Sequence, residues 1–375
     1  MFNRRIYLDV AAGMNGPSPR RSWLRPREGG NPSSPHTEGR RARHLLEDAR
    51  TAIARLVEVQ PDDVIFTSGA TEANALAILG SATAGSHVLY LPSAHSSIVE
   101  NIKLLAQRGV KVEALPIQNG RVDCVKLKKL LRPETKLVSV EAVCGETGVV
   151  WNIRGIREAI GLKILLHVDA SQAPLTEKLT RAHFSADLLT LDGSKVGVRG
   201  IGALIAHRTI PLVPLYAGGG QERGLRPGTE VPELAEKFAA ALRAAARGRD
   251  AFRASATRER ERLVSFIKNT LPDVYVTEGS PAGGQAPNIL NLSFPGRDTD
   301  YLVALLDEAG FAVSTRSACE SDSQEGSRAV FVLTGDHARA LSTLRISWGP
   351  GTRSRALARF AKALARAITF IDTKS

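Results

Sequence analysis

Four features of this sequence have residue types and spacing suited to chemistry: a lysine, an aspartate, a glycine-led turn and a cysteine. Lys195 follows Asp187-Leu-Leu-Thr-Leu-Asp-Gly-Ser and sits on a glycine-studded bend between apolar runs at 188–191 and 201–206. Both runs read as short buried strands. An ammonium held between buried strands loses solvation, which lowers its pKa and makes the neutral, nucleophilic amine accessible. Such an amine condenses with aldehydes. A solvated loop lysine would not be activated in this way, and this stretch by itself fits either reading.

Upstream, the apolar run 163–168 ends in Asp169-Ala-Ser-Gln172, which places a carboxylate at the carboxyl end of a strand. Open α/β sheets bind ligands there. A buried aspartate is costly without a cation to pair with, and a protonated pyridine nitrogen is such a cation. Asp169 also fits the cap of a following helix. In Phe66-Thr-Ser-Gly69-Ala70-Thr71 a short strand, 64–66, turns into a helix through 73–79. Gly69 lets the backbone approach a ligand closely, and the amides of Ala70, Thr71 and Glu72 open a helix whose positive end attracts an anion. A plain helix start capped by Ser68 or Thr71 is the alternative.

Cys319 lies in the polar run 314–328, which predicts an exposed loop. A thiolate there, favoured by Arg316, can reach a substrate and withdraw, whereas an incidental buried thiol fits such a run poorly. Arg345, on a predicted strand 344–348, has the fork to grip a carboxylate or to form an ion pair between domains.

The elements that must position these groups alternate. A helix is predicted over 37–57 from the near-helical spacing of Ala42, Leu45, Leu46, Ala49, Ile53 and Leu56, after a turn-rich stretch at 13–37. Strands at 88–91, 111–115 and 137–140 alternate with helices at 96–108 and 123–131, the rhythm of a parallel sheet with crossovers. His95 then stands just past a strand, at a helix entrance. From 232 to about 271 the pattern is long and helical, with a linker or domain-bridging helix near 247–250. Strands at 288–294, 311–313 and 344–348 with helices at 299–309 and 353–370 predict a small α+β unit.

At 375 residues the chain is long enough for two domains. No stretch is long and apolar enough for a membrane span, and the start reads as no secretion signal. Cys124, Cys144 and Cys319 cannot all pair and lack metal-like spacing, which predicts a reducing, cytoplasmic setting and no metal. The net charge of +12 is spread over helical faces without an aromatic platform, predicting a solvated basic surface and no direct nucleic-acid binding. Arginines at 20, 21, 25, 27, 40, 41 and 43 could still meet an acidic partner.

Read together and in order, Tyr7-Leu-Asp-Val-Ala-Ala12, Gly30-Asn-Pro-Ser-Ser34, Phe66–Asn74, His167-Val-Asp-Ala-Ser-Gln172, Gly218–Thr229 and Arg316-Ser-Ala-Cys319 resemble a known family. It is the class V branch of fold-type I enzymes that use pyridoxal 5'-phosphate, and within it the cysteine desulfurases of the NifS/IscS type. The resemblance covers 6–349 and implies an α/β fold, a large domain with a mostly parallel seven-stranded sheet plus a small α+β C-terminal domain. The implied division is 15–245 for the cofactor domain, with 1–14 and 246–375 forming the small domain that carries the Cys319 loop. By the same resemblance Lys195 holds the cofactor and moves the alpha proton, and Asp169 holds the ring nitrogen. His95 stacks on the ring and Gln172 donates to its phenolate oxygen. Gly69, Ala70, Thr71 and Ser194 meet the phosphate, as does Thr229 from the neighbouring subunit of a homodimer. Arg345 grips the substrate carboxylate, and Cys319 takes sulfur from L-cysteine and passes it to an iron-sulfur scaffold or a thiolation enzyme.

Three stretches depart from the pattern. Asp192-Gly-Ser-Lys195 replaces Ser-Gly-His-Lys, with a segment after Lys195 one residue shorter, and Asp192 repels phosphate unless protonated or paired, with Arg199 a candidate partner. Gly145 stands where the family has an asparagine, and Ala11-Ala-Gly-Met14 replaces Ala-Thr-Thr. The alternatives kept open are another class V activity, a selenocysteine lyase or aminotransferase, and a catalytically weak PLP-binding partner platform.

Overall fold

Strands buried on both faces read as continuous apolar runs, and three of them, Val64–Thr67, Leu188–Asp192 and Gly202–Ala206, have every residue buried. They belong to a seven-stranded sheet in the order 64–67, 202–206, 188–192, 165–169, 135–141, 87–90 and 111–114. Only Gly202–Ala206 runs against its neighbours, so the sheet is mostly parallel, as the sequence implies. The computed structural model that shows this describes residues 5–14, 30–279, 284–315 and 326–374. Cys319, Arg316 and the arginines at 20, 21, 25 and 27 lie outside the described residues. Chain order reverses between His87–Tyr90 and Thr135–Glu141, which opens a crevice at the carboxyl ends of those strands.

The helix Thr37–Val57 has the expected bounds because Ala42, Leu46, Ala49, Ile53 and Val57 bury one stripe of it. His36 caps its start, with Nδ1 accepting from the Gly39 N–H at 3.2 Å. Pro232–Thr270 is one unbroken helix of 39 residues, so 247–250 is a bridge and not a linker. It enters the first apolar core through Phe238 and Leu242 and the second through Phe252, Leu263 and Ile267. In the second core the antiparallel strands Tyr275–Thr277, Ile289–Ser293 and Thr343–Ser347 pack with Thr299–Glu308 and Ser354–Lys374. The amino-terminal segment joins that unit, since Ile6–Tyr7 pairs with Phe311–Ala312 and Asp9 bridges to Ser347. The helices Arg328–Thr334 and His337–Leu341 fall where the sequence reading has none. No helix among the described residues is long and apolar enough to cross a membrane.

A buried ion pair ties the glycine-rich loop at 218–229 to the sheet. Glu222 accepts from Arg50 Nη1 and Nη2 at 2.8 and 2.6 Å and from the Phe66 N–H at 2.7 Å. Arg50 also donates to the Val64 carbonyl at 2.6 Å. The glutamate holds φ 48°, a left-handed conformation that this contact network offsets.

Glu222→Ala leaves a buried guanidinium with only the half-exposed Glu47, at 3.1 Å from its Nε, as a carboxylate partner, and should cost about 3 kcal/mol in urea denaturation, with most of it recovered by adding Arg50→Met. A double variant as unstable as the single one would show that the charge is not the cause. A second expectation concerns acid. His167 is buried between Ser139 Oγ at 2.8 Å and Thr190 Oγ1 at 3.1 Å, and burial pushes its pKa down to about 4. The unfolded chain therefore gains this proton near the ordinary histidine value while the folded chain does not. Stability should fall by about 2 kcal/mol between pH 7 and pH 5, and His167→Gln should flatten that fall.

Candidate active site

The lysine turn is a consequence of glycine. Gly193 closes the strand Leu188–Asp192 where a Cβ would meet the Val198 carbonyl at 2.4 Å, and Gly197, at φ 88°, ends the single 3-10 turn Ser194–Val196. Lys195 is thereby lifted, half-buried, toward the crevice. Its Nζ donates to the carbonyls of Ala11 at 3.0 Å and Ala12 at 3.2 Å. That segment is fixed in turn, with the Met14 N–H donating to the Ser194 carbonyl at 3.0 Å.

Asp169 ends its strand facing the same cavity, which encloses about 350 Å³. Its Oδ1 accepts from the Ser171 N–H at 2.9 Å, and its Oδ2 from Asn74 Nδ2 at 2.7 Å. No helix begins here, so the carboxylate is not a helix cap. The second Asn74 amide hydrogen goes to Ser97 Oγ at 2.8 Å, and Ser97 Oγ meets His95 Nδ1 at 2.8 Å. A reversed Asn74 amide would aim its oxygen at the carboxylate, so the network fixes its orientation. The Ser97 N–H also donates to His95 Nδ1, at 3.2 Å, which leaves Nε2 to carry the proton of the neutral ring. His95 is thus both the cap of Ser96–Gln107 and a wall of the cavity.

The helix Ala70–Leu79 starts at Gly69 with no side chain capping it, unlike those at His36, His95, Asp123 and Asn152. Neither Ser68 nor Thr71 serves as the cap. The N–H groups at the head of this helix, with Gly69, Ala70 and Thr71 lining the cavity, form a cradle for an anion. Gly202 makes room for it, since a Cβ there would meet the Gly69 backbone at 2.6 Å. Glu72 at the same helix head accepts from Tyr216 Oη at 3.0 Å and Arg226 Nε at 3.2 Å, which balances its charge.

Gln172, Ser194 and Arg345 line the cavity as well. Gln172 Nε2 donates to the Ala11 carbonyl at 2.7 Å. Ser194 gives its N–H and hydroxyl to Asp192, at 3.0 and 2.6 Å, so the partner of Asp192 is this serine and not Arg199. Arg345 is buried and donates to Asp9 Oδ1 at 2.7 Å, an ion pair with the amino-terminal segment, and to the Gly145 carbonyl at 3.4 Å. Thr229 lies on the loop beyond this lining, and Cys319 lies outside the described residues.

The donors present fit pyridoxal phosphate. A carboxylate that accepts a hydrogen bond on each oxygen suits a pyridinium, the uncapped helix head suits a phosphate, and an amine stands across the cavity for an aldehyde. Sequence reasoning missed Asn74, Ser97, Glu141 and Arg328 at this site. Only Asn74 left a trace, as a polar residue in the apolar run 73–79.

The aminotransferase class-V family matches residues 7–359. The cysteine desulfurase IscS 1 of Archaeoglobus fulgidus is 34% identical over 85% of each chain. The cysteine desulfurase IscS of Neisseria meningitidis is 37% identical over 85% of this chain and 80% of its own. Among solved structures, a NifS-like protein superposes with a TM-score of 0.87 at 26% identity, covering 98% of this chain and 100% of that one. DndA from Streptomyces lividans gives 0.71 at 32% identity over 86% and 92%. With its crevice, its buried aspartate and its lysine turn in that arrangement, the chain belongs to the aminotransferase class-V family, alongside its cysteine desulfurases.

Proposed function

We propose that the chain is a homodimeric, pyridoxal-phosphate-dependent cysteine desulfurase that converts L-cysteine to L-alanine and leaves the sulfur as a persulfide on Cys319. The observation that carries this reading is the convergence of Asp169, Lys195 and the uncapped head of Ala70–Leu79 on one cavity. The bound cofactor supplies an electron sink for the substrate's alpha carbon.

The protein's residues do the rest. Asp169, held by Asn74 and Ser171, keeps a proton on the ring nitrogen. His95, with its ring set by Ser97, covers the ring face. Gly69, Ala70 and Thr71 hold the phosphate, Gln172 reaches the ring's oxygen, and Thr229 serves the partner subunit's site. Arg345 exchanges its Asp9 contact for the substrate carboxylate. Lys195 moves the alpha proton, and the Cys319 thiolate attacks the substrate sulfur. The Cβ–S bond breaks, an S–S bond forms and the carbon left behind takes a proton, so no outside oxidant is needed. The persulfide passes to an acceptor protein, for iron-sulfur assembly or for thiolation of tRNA or a cofactor, in a reducing cytoplasm.

The purified chain should be yellow and, after borohydride, carry the label on Lys195. Intact mass after L-cysteine should show added sulfur at Cys319, and Cys319→Ala should lower sulfide release by at least about 100-fold while keeping the colour. Turnover that survives Cys319→Ala would point to another class V activity, and colour without any turnover to a binding platform.

Asn74→Ala removes a charge-assisted bond worth about 1.5 kcal/mol. Cofactor affinity should fall about tenfold, and the pH dependence of the visible absorbance should shift because Asp169 holds the ring proton less firmly. A pure stability loss with unchanged colour titration would show that Asn74 only fills space.

A further inference from the structure

Glu141 ends its strand directly beside Asp169, so two carboxyl groups stand together at the carboxyl ends of neighbouring parallel strands and line one cavity. Their surroundings differ. Each oxygen of Asp169 accepts a hydrogen bond, whereas Glu141, 4% exposed, keeps its Oε1 buried with no hydrogen-bond partner among the described residues. An ionised carboxylate does not tolerate such an oxygen, while a carboxylic acid turns it into a donor.

Charged and titratable groups face Glu141 from every side. Asp169 comes from the next strand, the Cys144 thiol from the loop after its own strand with Glu146 close behind, and the His95 N–H from the head of Ser96–Gln107. Arg328 comes from the start of Arg328–Thr334, with Nη2 donating to the Ala94 carbonyl at 2.8 Å. Burial, and after it the Asp169 charge, push the Glu141 carboxyl well above its ordinary range; the thiol, the N–H and Arg328 pull the other way without restoring it. The neighbouring Cys144 thiol is raised well above its ordinary range as well, by burial first, so it gives no negative charge to this corner.

We propose that Glu141 carries a proton in the working protein and acts as a neutral positioning residue, so that the pair presents one negative charge, on Asp169, and a neutral carboxylic acid beside it. A single cation in the site is then matched by a single anion; two ionised carboxylates would over-bind the ring-nitrogen proton and attract stray cations. This role toward the ring rests on the pyridoxal phosphate reading, but the location of the proton does not.

Infrared spectra of the full chain without added cofactor, at about pH 7, should show a carboxylic-acid carbonyl band that is absent from Glu141→Gln. In Asp169→Asn the band should vanish at lower pH than in the wild type, because the neighbouring charge is gone. The sign for stability follows: the folded chain keeps a proton that the unfolded chain releases, so raising the pH from about 5 to about 8 destabilises the wild type relative to Glu141→Gln. The gap in Tm should widen by about 3–5 °C. Wild-type and Glu141→Gln spectra without a band difference, or a flat Tm gap, would overturn the proposal. If Glu141→Gln does not fold, Glu141→Met serves as the neutral reference. Adding pyridoxal phosphate separates the two readings. A band without colour counts against the cofactor alone, and colour without the band counts against a protonated Glu141.

Discussion

An aspartate withdrawn from water at the end of a central strand constrains the whole site. Left alone, such a group would take up a proton to escape the cost of a buried charge. Here each oxygen accepts a hydrogen bond, one from the Ser171 N–H and one from the Asn74 amide, and each donor is supplied by a different part of the fold. The turn after the strand gives one, and the helix Ala70–Leu79 gives the other. The same helix turns its uncapped head toward the cavity, so one rigid element both sets the anion at one end of a ligand and receives an anion at the other. Both features are thereby set by a helix and a strand rather than by loops, which suits a rigid binding site.

The lysine is positioned by different means. Strand Gly202–Ala206, running against its neighbours, brings the chain back beside Asp192 and forces a tight return in which a side chain at 193 could not fit. Its ammonium is received by the carbonyls of Ala11 and Ala12, which belong to the segment stitched onto the second core. The amine and the aspartate therefore follow neighbouring strands of one sheet, and the carbonyls that receive the amine come from a segment that runs from the second core, through Leu8 and Val10, into the first at Ala11.

The sequence made long periodic elements legible and left through-space partnerships hidden. The helix Thr37–Val57 could be read to its ends because five buried positions repeat along it. The strands ending at Asp169 and Asp192 could be read because runs buried on both faces are mostly apolar, with His167 and Thr190 the polar exceptions before the terminal aspartates. Lys195, Asp169 and the turn at Gly69 were recognisable because their chemistry is local to a strand end. The Arg50–Glu222 pair joins residues far apart in sequence, and neither looks unlike a surface charge until the fold buries both. Asn74 and Ser97 were equally silent, since a hydrogen bond between two helices has no periodic signature. Glu141 was lost because an apolar run reads as a strand only up to its last apolar residue, here Val140, although the ladder continues one residue further.

The departure at Gly145 shows how such a site absorbs a substitution. A Cβ at this position would meet Gln172 Nε2 at 2.9 Å and its Cγ at 3.3 Å, so the glutamine fills the space beside a residue that has no side chain. From there its amide reaches the Ala11 carbonyl, the same oxygen that receives Lys195. A larger residue at 145 would push Gln172 away from Ala11 and loosen the turn that steadies the lysine. The glycine backbone still contributes, because its carbonyl meets Arg345 at 3.4 Å. Gly145, Gln172 and Ala11 are therefore packed as one unit, and a change at 145 has to be judged with the other two.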